Sequence, residues 1–216
     1  MKRFFFIIFA LILFTFSAAA HVIRYDLDKV EDGQVFWHYL LSGFEHIIPL
    51  GLDHILFIIC IFFINNNLKS IILQASMFTL AHSITLALAM YEVINPPAHV
   101  IEPLIALSIL LLAIENIFIT TVKPWRMGVV FLFGLIHGMG FASVLSELGI
   151  PKDAFLTGLL AFNIGVELGQ VAIILVMYLL VARNFANKTW YRRGIVIPVS
   201  IAIAVIASYW TIDRIF

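Results

Sequence analysis

Six apolar stretches of similar length recur along the chain, at about Phe44–Ile64, Ile71–Met90, His99–Ile119, Met127–Glu147, Phe155–Val181 and Gly194–Ile212. Each is near the ~20 residues a helix needs to cross about 30 Å of hydrocarbon. Short polar connectors separate them: Asn65-Asn66-Asn67, Asn95-Pro96-Pro97, Thr120 to Trp125, Gly149-Ile150-Pro151 and Arg183 to Arg193. The runs are continuous and lack the two-residue alternation of barrel strands. Because lipid cannot satisfy an open backbone, they are expected to be helices. The pattern predicts an all-α, polytopic membrane bundle of six transmembrane helices.

The first stretch is too long for an upright span. From Phe36 to Ile64 the chain stays largely apolar for 29 residues, about 43 Å as one helix. Pro49 and Gly51 lie in its middle, where they kink or break a helix. An interfacial or re-entrant piece through Trp37 and Tyr39 is therefore expected, then a break near Pro49/Gly51, then a helix from about Leu52. A tilted, proline-kinked helix is the alternative. Ahead of this, Lys2 and Arg3 precede the apolar run Phe4 to Phe16, which ends in Ser17-Ala18-Ala19-Ala20. A positive start, a short apolar run and an A-x-A site describe a cleavable signal peptide. The uncleaved alternative is a further transmembrane helix, for which the run is short. The chain so divides into a signal peptide (1–20), an extracytoplasmic segment with an interfacial helix (21–43), and a six-helix transmembrane domain (44–216). Cleavage after Ala20 makes His21 the new N-terminus, where its amine and imidazole can chelate a transition metal.

Composition sharpens this picture. Apolar residues make up 62% of the 216 and charged ones 12%, against about a quarter charged in a soluble domain. Thirteen Lys and Arg balance thirteen Asp and Glu, so no bulk charge draws the chain to nucleic acid. The single cysteine, Cys60, excludes an internal disulfide and reads as inert core. No phosphate-binding loop, dinucleotide fingerprint or nucleophile elbow is present. With the mature N-terminus outside, Lys69, Lys123, Arg126, Arg183, Lys188, Arg192 and Arg193 fall inside, and Arg24, Lys29, Lys152 and Arg214 outside. That distribution favours both mature ends lying outside the cytoplasm, in a bacterial-type inner membrane. The lipid bilayer is then the first partner; a homo-oligomer is left open.

Chemistry is expected from ionisable residues where lipid should be. The spans carry Glu45, His46, Asp53, His54, His82, Glu102, Glu115, His137 and Glu167, with Asn116, Asn163 and Gln170 nearby. One unpaired charge at the bilayer centre costs at least ~2.5 kcal/mol, so these side chains are expected to converge. Asn163, Glu167 and Gln170 fall on one helical stripe, as do Thr79, His82 and Thr85. By linear count His54, His82, His137 and Glu167 lie near mid-membrane with Asp53 adjoining. Glu45, His46, His99 and Glu102 lie toward the outside, and Glu115 and Asn116 toward the inside. His with carboxylate suits a divalent transition metal (nickel, cobalt, zinc or copper) better than calcium or magnesium. His46, Asp53, His54, His82, His137 and Glu167 are the candidate metal residues. Glu115, Asn116, Asn163, Gln170 and Glu102 mark a candidate path. For each histidine alone, an interhelical hydrogen bond is the alternative role. Polar groups at three depths favour a secondary permease for a divalent transition metal. An intramembrane metal-dependent hydrolase of zinc type, acting on a lipid or membrane peptide, is the alternative. A structural or assembly factor would leave the buried charges unexplained.

The stretch Gly43-Phe-Glu-His46-Ile-Ile-Pro-Leu-Gly51-Leu-Asp53-His54 resembles the first signature of the HupE/UreJ family of nickel permeases. Phe78-Thr-Leu-Ala-His82-Ser-Ile-Thr-Leu, Glu115-Asn116, Gly134-Leu-Ile-His137-Gly-Met-Gly-Phe-Ala and Phe162-Asn163-Ile-Gly-Val-Glu167-Leu-Gly-Gln170 are further matches. Together they resemble the second branch of that family over nearly the whole mature chain. The resemblance implies nickel or cobalt uptake, a cleaved signal and six spans, with His46, Asp53 and His54 on the metal path. The chain departs from the better-studied branch after His137-Gly138, where no second His and no Glu follow; Glu167 on the next helix is the carboxylate nearest to that role.

Overall fold

The structure, a computed structural model, describes residues 32–64, 67–147 and 154–216. The expected signal peptide, His21 and the segment up to residue 31 lie outside the described residues. Among the described residues, the fold is carried by seven helices: α1 (Asp32–Ile47), α2 (Leu52–Phe63), α3 (Leu68–Met90), α4 (Ala98–Phe118), α5 (Arg126–Glu147), α6 (Phe155–Met177) and α7 (Ile197–Asp213). No strand occurs among the described residues. α6 runs on through a π-helical turn, Tyr178–Ala182, into Arg183–Phe185, and a second π-helical turn, Arg192–Val196, leads into α7. Local chemistry sets the starts. Asn67 caps α3, its Oδ1 accepting from the Lys69 and Ser70 amides at 3.0 and 3.4 Å. Pro97 precedes α4, and Pro198 sits in the first turn of α7, where its missing N–H costs nothing.

Four helices are long and apolar enough to cross a membrane: α3, α4, α6 with its continuation to Phe185, and the helix from Arg192 through α7. α1 and α2 together make a fifth, bent by 68°. α5, with 22 residues, lies at the remaining expected position and is apolar over Arg126–Phe141. The break falls where the sequence places it, over Ile48 to Gly51, with α2 starting at Leu52 and a cis bond before Pro49. Glycine is needed at 51 because a Cβ there would overlap the His46 carbonyl. α1 continues unbroken past residue 43.

The helices are apolar on both faces, as a bundle in lipid requires. Phe57, Phe62, Phe78, Phe162 and Ile109 fill the interior, while Leu73, Leu80 and Ile84 on α3 and Leu160, Ile164 and Leu168 on α6 face outward. The most extensive interfaces join α3 to α5, α1 to α6 and α4 to α7. Small residues set two of them. Gly134 and Gly138 of α5 admit the backbone of Phe78 and His82 of α3, and Gly165 of α6 admits that of Leu40 and Phe44 of α1. Gly169 meets Ile47, so α1 and α6 run in the same direction. This contact carries the C-terminal end of α1, with His46, into the bundle.

Candidate metal centre

Three histidines from three helices meet in the interior. His46 ends α1, His54 lies in the first turn of α2, and His82 is central in α3. Each can place one ring nitrogen within 4.8 Å of the other two. Their ring centroids are 4.7 Å (His46–His54), 5.8 Å (His54–His82) and 6.0 Å (His46–His82) apart. His46 joins His54 because the chain turns sharply after Ile47, which a linear count of depth cannot register. A metal holding imidazoles at ~2.0–2.1 Å sets their nitrogens at roughly 3–3.5 Å, so small side-chain rotations suffice for the trio to grip one.

His54 and His82 are buried, and neither ring nitrogen of His82, nor Nε2 of His46 or His54, has a hydrogen-bond partner. Buried nitrogens are normally paired; unpaired ring nitrogens this close together are candidate metal ligands. His137 of α5 packs its ring 5.2 Å from that of His54. Its Nε2 lies 3.0 Å from Ser108 Oγ. Ser108 donates its one hydroxyl hydrogen to the Ile105 carbonyl at 2.7 Å, so it accepts from His137 Nε2–H. Nδ1 of His137, buried and unpaired, then carries the free lone pair. Phe141 lies 3.8 Å from His46, and Phe57 and Phe78 lie 5.2 and 4.9 Å from His137 between ring centroids. These rings keep the cluster dry.

The carboxylates are arranged differently. Asp53 does not join the histidines: both of its oxygens accept from Arg214 Nη2, at 3.2 and 3.1 Å. Arg214 also donates to the Glu102 carbonyl at 3.2 Å and lies 5.3 Å from the Trp210 ring centre. The Glu102 side chain is exposed, as are Glu45 and His99. Glu167 accepts from Ser76 Oγ at 2.6 Å through Oε1, and its buried Oε2 is unpaired. On the same stripe of α6, Gln170 donates to Thr79 at 3.0 Å and Asn163 to the Leu159 carbonyl at 2.8 Å. The stripe therefore faces α3 beside His82.

Glu115 pairs with Arg126, which is wholly buried at the start of α5 and also donates to Gln74 Oε1 at 2.9 Å. Asn116 donates to the Cys60 carbonyl at 2.9 Å. Sequence reasoning counted Arg126 among loop charges and passed over Ser76 and Ser108. One signal pointed to Arg126: an acid in an apolar helix needs a cation, and Arg126 heads the next span. Ser76 and Ser108 gave none, since serines are common in membrane helices.

Two histidine-bearing helices and a third broken beside a histidine, packed through glycines, match the motifs on which the family resemblance rests. Nothing among curated proteins or solved structures matches the chain. The family model described as HupE / UreJ protein matches residues 22–214. The chain belongs to the HupE/UreJ family.

Proposed function

We propose that this protein is a secondary permease that takes up a divalent transition metal, nickel or cobalt first, across a bacterial-type inner membrane. The observation that carries the reading is the group of buried histidines with unpaired nitrogens turned toward one another. Neutral imidazoles bind such an ion without cancelling its charge, and Asp53 is engaged by Arg214. Binding of this kind favours release as well as capture, which conduction requires. His46, His54 and His82 are the primary ligands, His137 the fourth donor, and Asn163, Glu167 and Gln170 a polar wall beside them. Asp53 and Glu102 line the outer approach, and Glu115 and Asn116 the inner one. Residues 1–20 are removed as a signal, and the permease is the helical bundle that follows, α1 included through its packing on α6. Two charges crossing 100 mV gain about 4.6 kcal/mol, sufficient drive without a nucleotide.

Uptake of radioactive nickel, cobalt, zinc and copper into proteoliposomes tests this, with His54→Ala as the control. Saturable accumulation of one metal, lost in the variant, is the expected result and names the substrate. Tight binding without flux of any of the four would overturn the permease and return the hydrolase to the front.

A further inference from the structure

The end of the bundle beyond the histidines holds charges that the metal centre does not use. Arg126 of α5 pairs with Glu115 of α4, donates to Gln74 of α3 and reaches the Cys60 carbonyl of α2 at 3.5 Å. Four helices thus meet on one guanidinium. Asn116 shares the Cys60 carbonyl. Two acceptors there have no partner, Glu115 Oε1 and Asn116 Oδ1. Asn116 is wholly buried and the Glu115 side chain is 10% exposed. A carboxylate oxygen and an amide oxygen on adjacent residues of α4 thus keep acceptor capacity that a cation other than Arg126 can use. The positive charge now held there is that of Arg126.

Its position is in line with the histidines. Cys60 follows His54 by six residues of α2, about 9 Å along the helix, and Gln74 precedes His82 by eight residues of α3, about 12 Å. Between the two levels stand Phe57, Phe78 and Phe133, with Phe57 4.7 and 6.2 Å from the other two rings. A metal leaving the histidines inward passes this collar and meets the guanidinium.

We propose that Glu115 and Asn116 form a second, exit site for the transported dication, held closed by Arg126 as a tethered cation that the metal displaces. The inference rests on the permease reading. Exchange of one cation for another keeps Glu115 paired throughout, and the displaced guanidinium escapes the penalty of a lone buried charge only by swinging to water at this end, so displacement and opening are one event. A static ion-pair staple would use the same contacts but would not respond to metal.

Cys60 is the one cysteine of the chain and is buried, so its thiol reports opening of this level without any added label site. In proteoliposomes of the full chain, N-ethylmaleimide is expected to modify Cys60 slowly, and about tenfold faster once nickel or cobalt is added, as befits an open state populated at roughly 10% or less at rest. The double variant Arg126→Gln with Glu115→Gln removes both charges at nearly constant volume. It is expected to retain the cobalt absorption spectrum of the histidine site, showing that it is folded, and to label fast with or without metal. Labelling of wild type that ignores metal, together with a double variant as protected as wild type, would overturn the exit site while wild-type uptake keeps the permease standing. Absence of wild-type uptake is the separate failure of the permease reading itself.

Discussion

At the scale of single residues, the site is decided by which lone pairs are left free. Ser108 is the sharpest case, because it holds the proton of His137 on Nε2 and so leaves the lone pair of Nδ1 free. Partners of this kind change metal affinity by about 10–100-fold when removed. Ser108→Ala is therefore expected to weaken cobalt binding about tenfold in a titration, with Ser108→Thr close to wild type. An unchanged affinity would reduce His137 to a packing residue. Asp53 and His54 show why residue roles were only half legible in the chain. Both were visible as ionisable residues in an apolar run, but neighbours on a helix point about 100° apart. One turns to the histidines and the other to Arg214, some 160 residues on. A sequence shows that a charge in lipid needs a partner; the partner's identity is a tertiary fact. For Arg126 the difficulty was sharper, since a basic residue at a span's end normally faces water.

At the scale of helices, two close approaches hold His46 in place. Gly165 meets the backbone of Leu40 and Phe44, and Gly51 that of His46. Any side chain at either position must push helices apart. Gly165→Ala is expected to lower stability by about 1–3 kcal/mol, the usual penalty of overpacking, read as a fall in thermal midpoint in detergent. Gly128→Ala, which meets nothing within 4 Å, is the control and should leave the midpoint in place. Gly51→Ala should in addition weaken metal binding, because the carbonyl it strikes belongs to a ligand. The break itself was readable from Pro49 and Gly51 within too long an apolar run. The parallel packing of α1 on α6 was not, since glycines announce a close contact without naming its mate. Nor were the π-helical turns at Tyr178–Ala182 and Arg192–Val196, since the first holds no proline or glycine and Gly194 in the second also fits an ordinary helix.

At the scale of the whole molecule, the order in which an entering metal meets the two polar levels depends on which end faces the cytoplasm. Lys69, Lys123, Arg183, Lys188 and Arg193 are exposed at the end where α3 and α5 begin. Arg192 at that end is tied to the Ile117 and Ile119 carbonyls, at 2.9 and 3.2 Å. At the other end the described residues offer Arg214, engaged with Asp53. Among the described residues, free positive charge thus gathers at one end, the end expected inside. Alkaline phosphatase fused after Phe216 is expected to be active, and fused after Trp190 to be silent, because that enzyme works only outside the cytoplasm. This orientation puts Asp53 and Arg214 at the outer mouth and the Arg126 hub at the inner one. A membrane potential negative inside then draws the dication from the histidines toward Glu115. The reverse pattern of fusion activity would place the lysines outside; the potential would still draw the dication inward, but it would then enter past Glu115 and leave past Asp53.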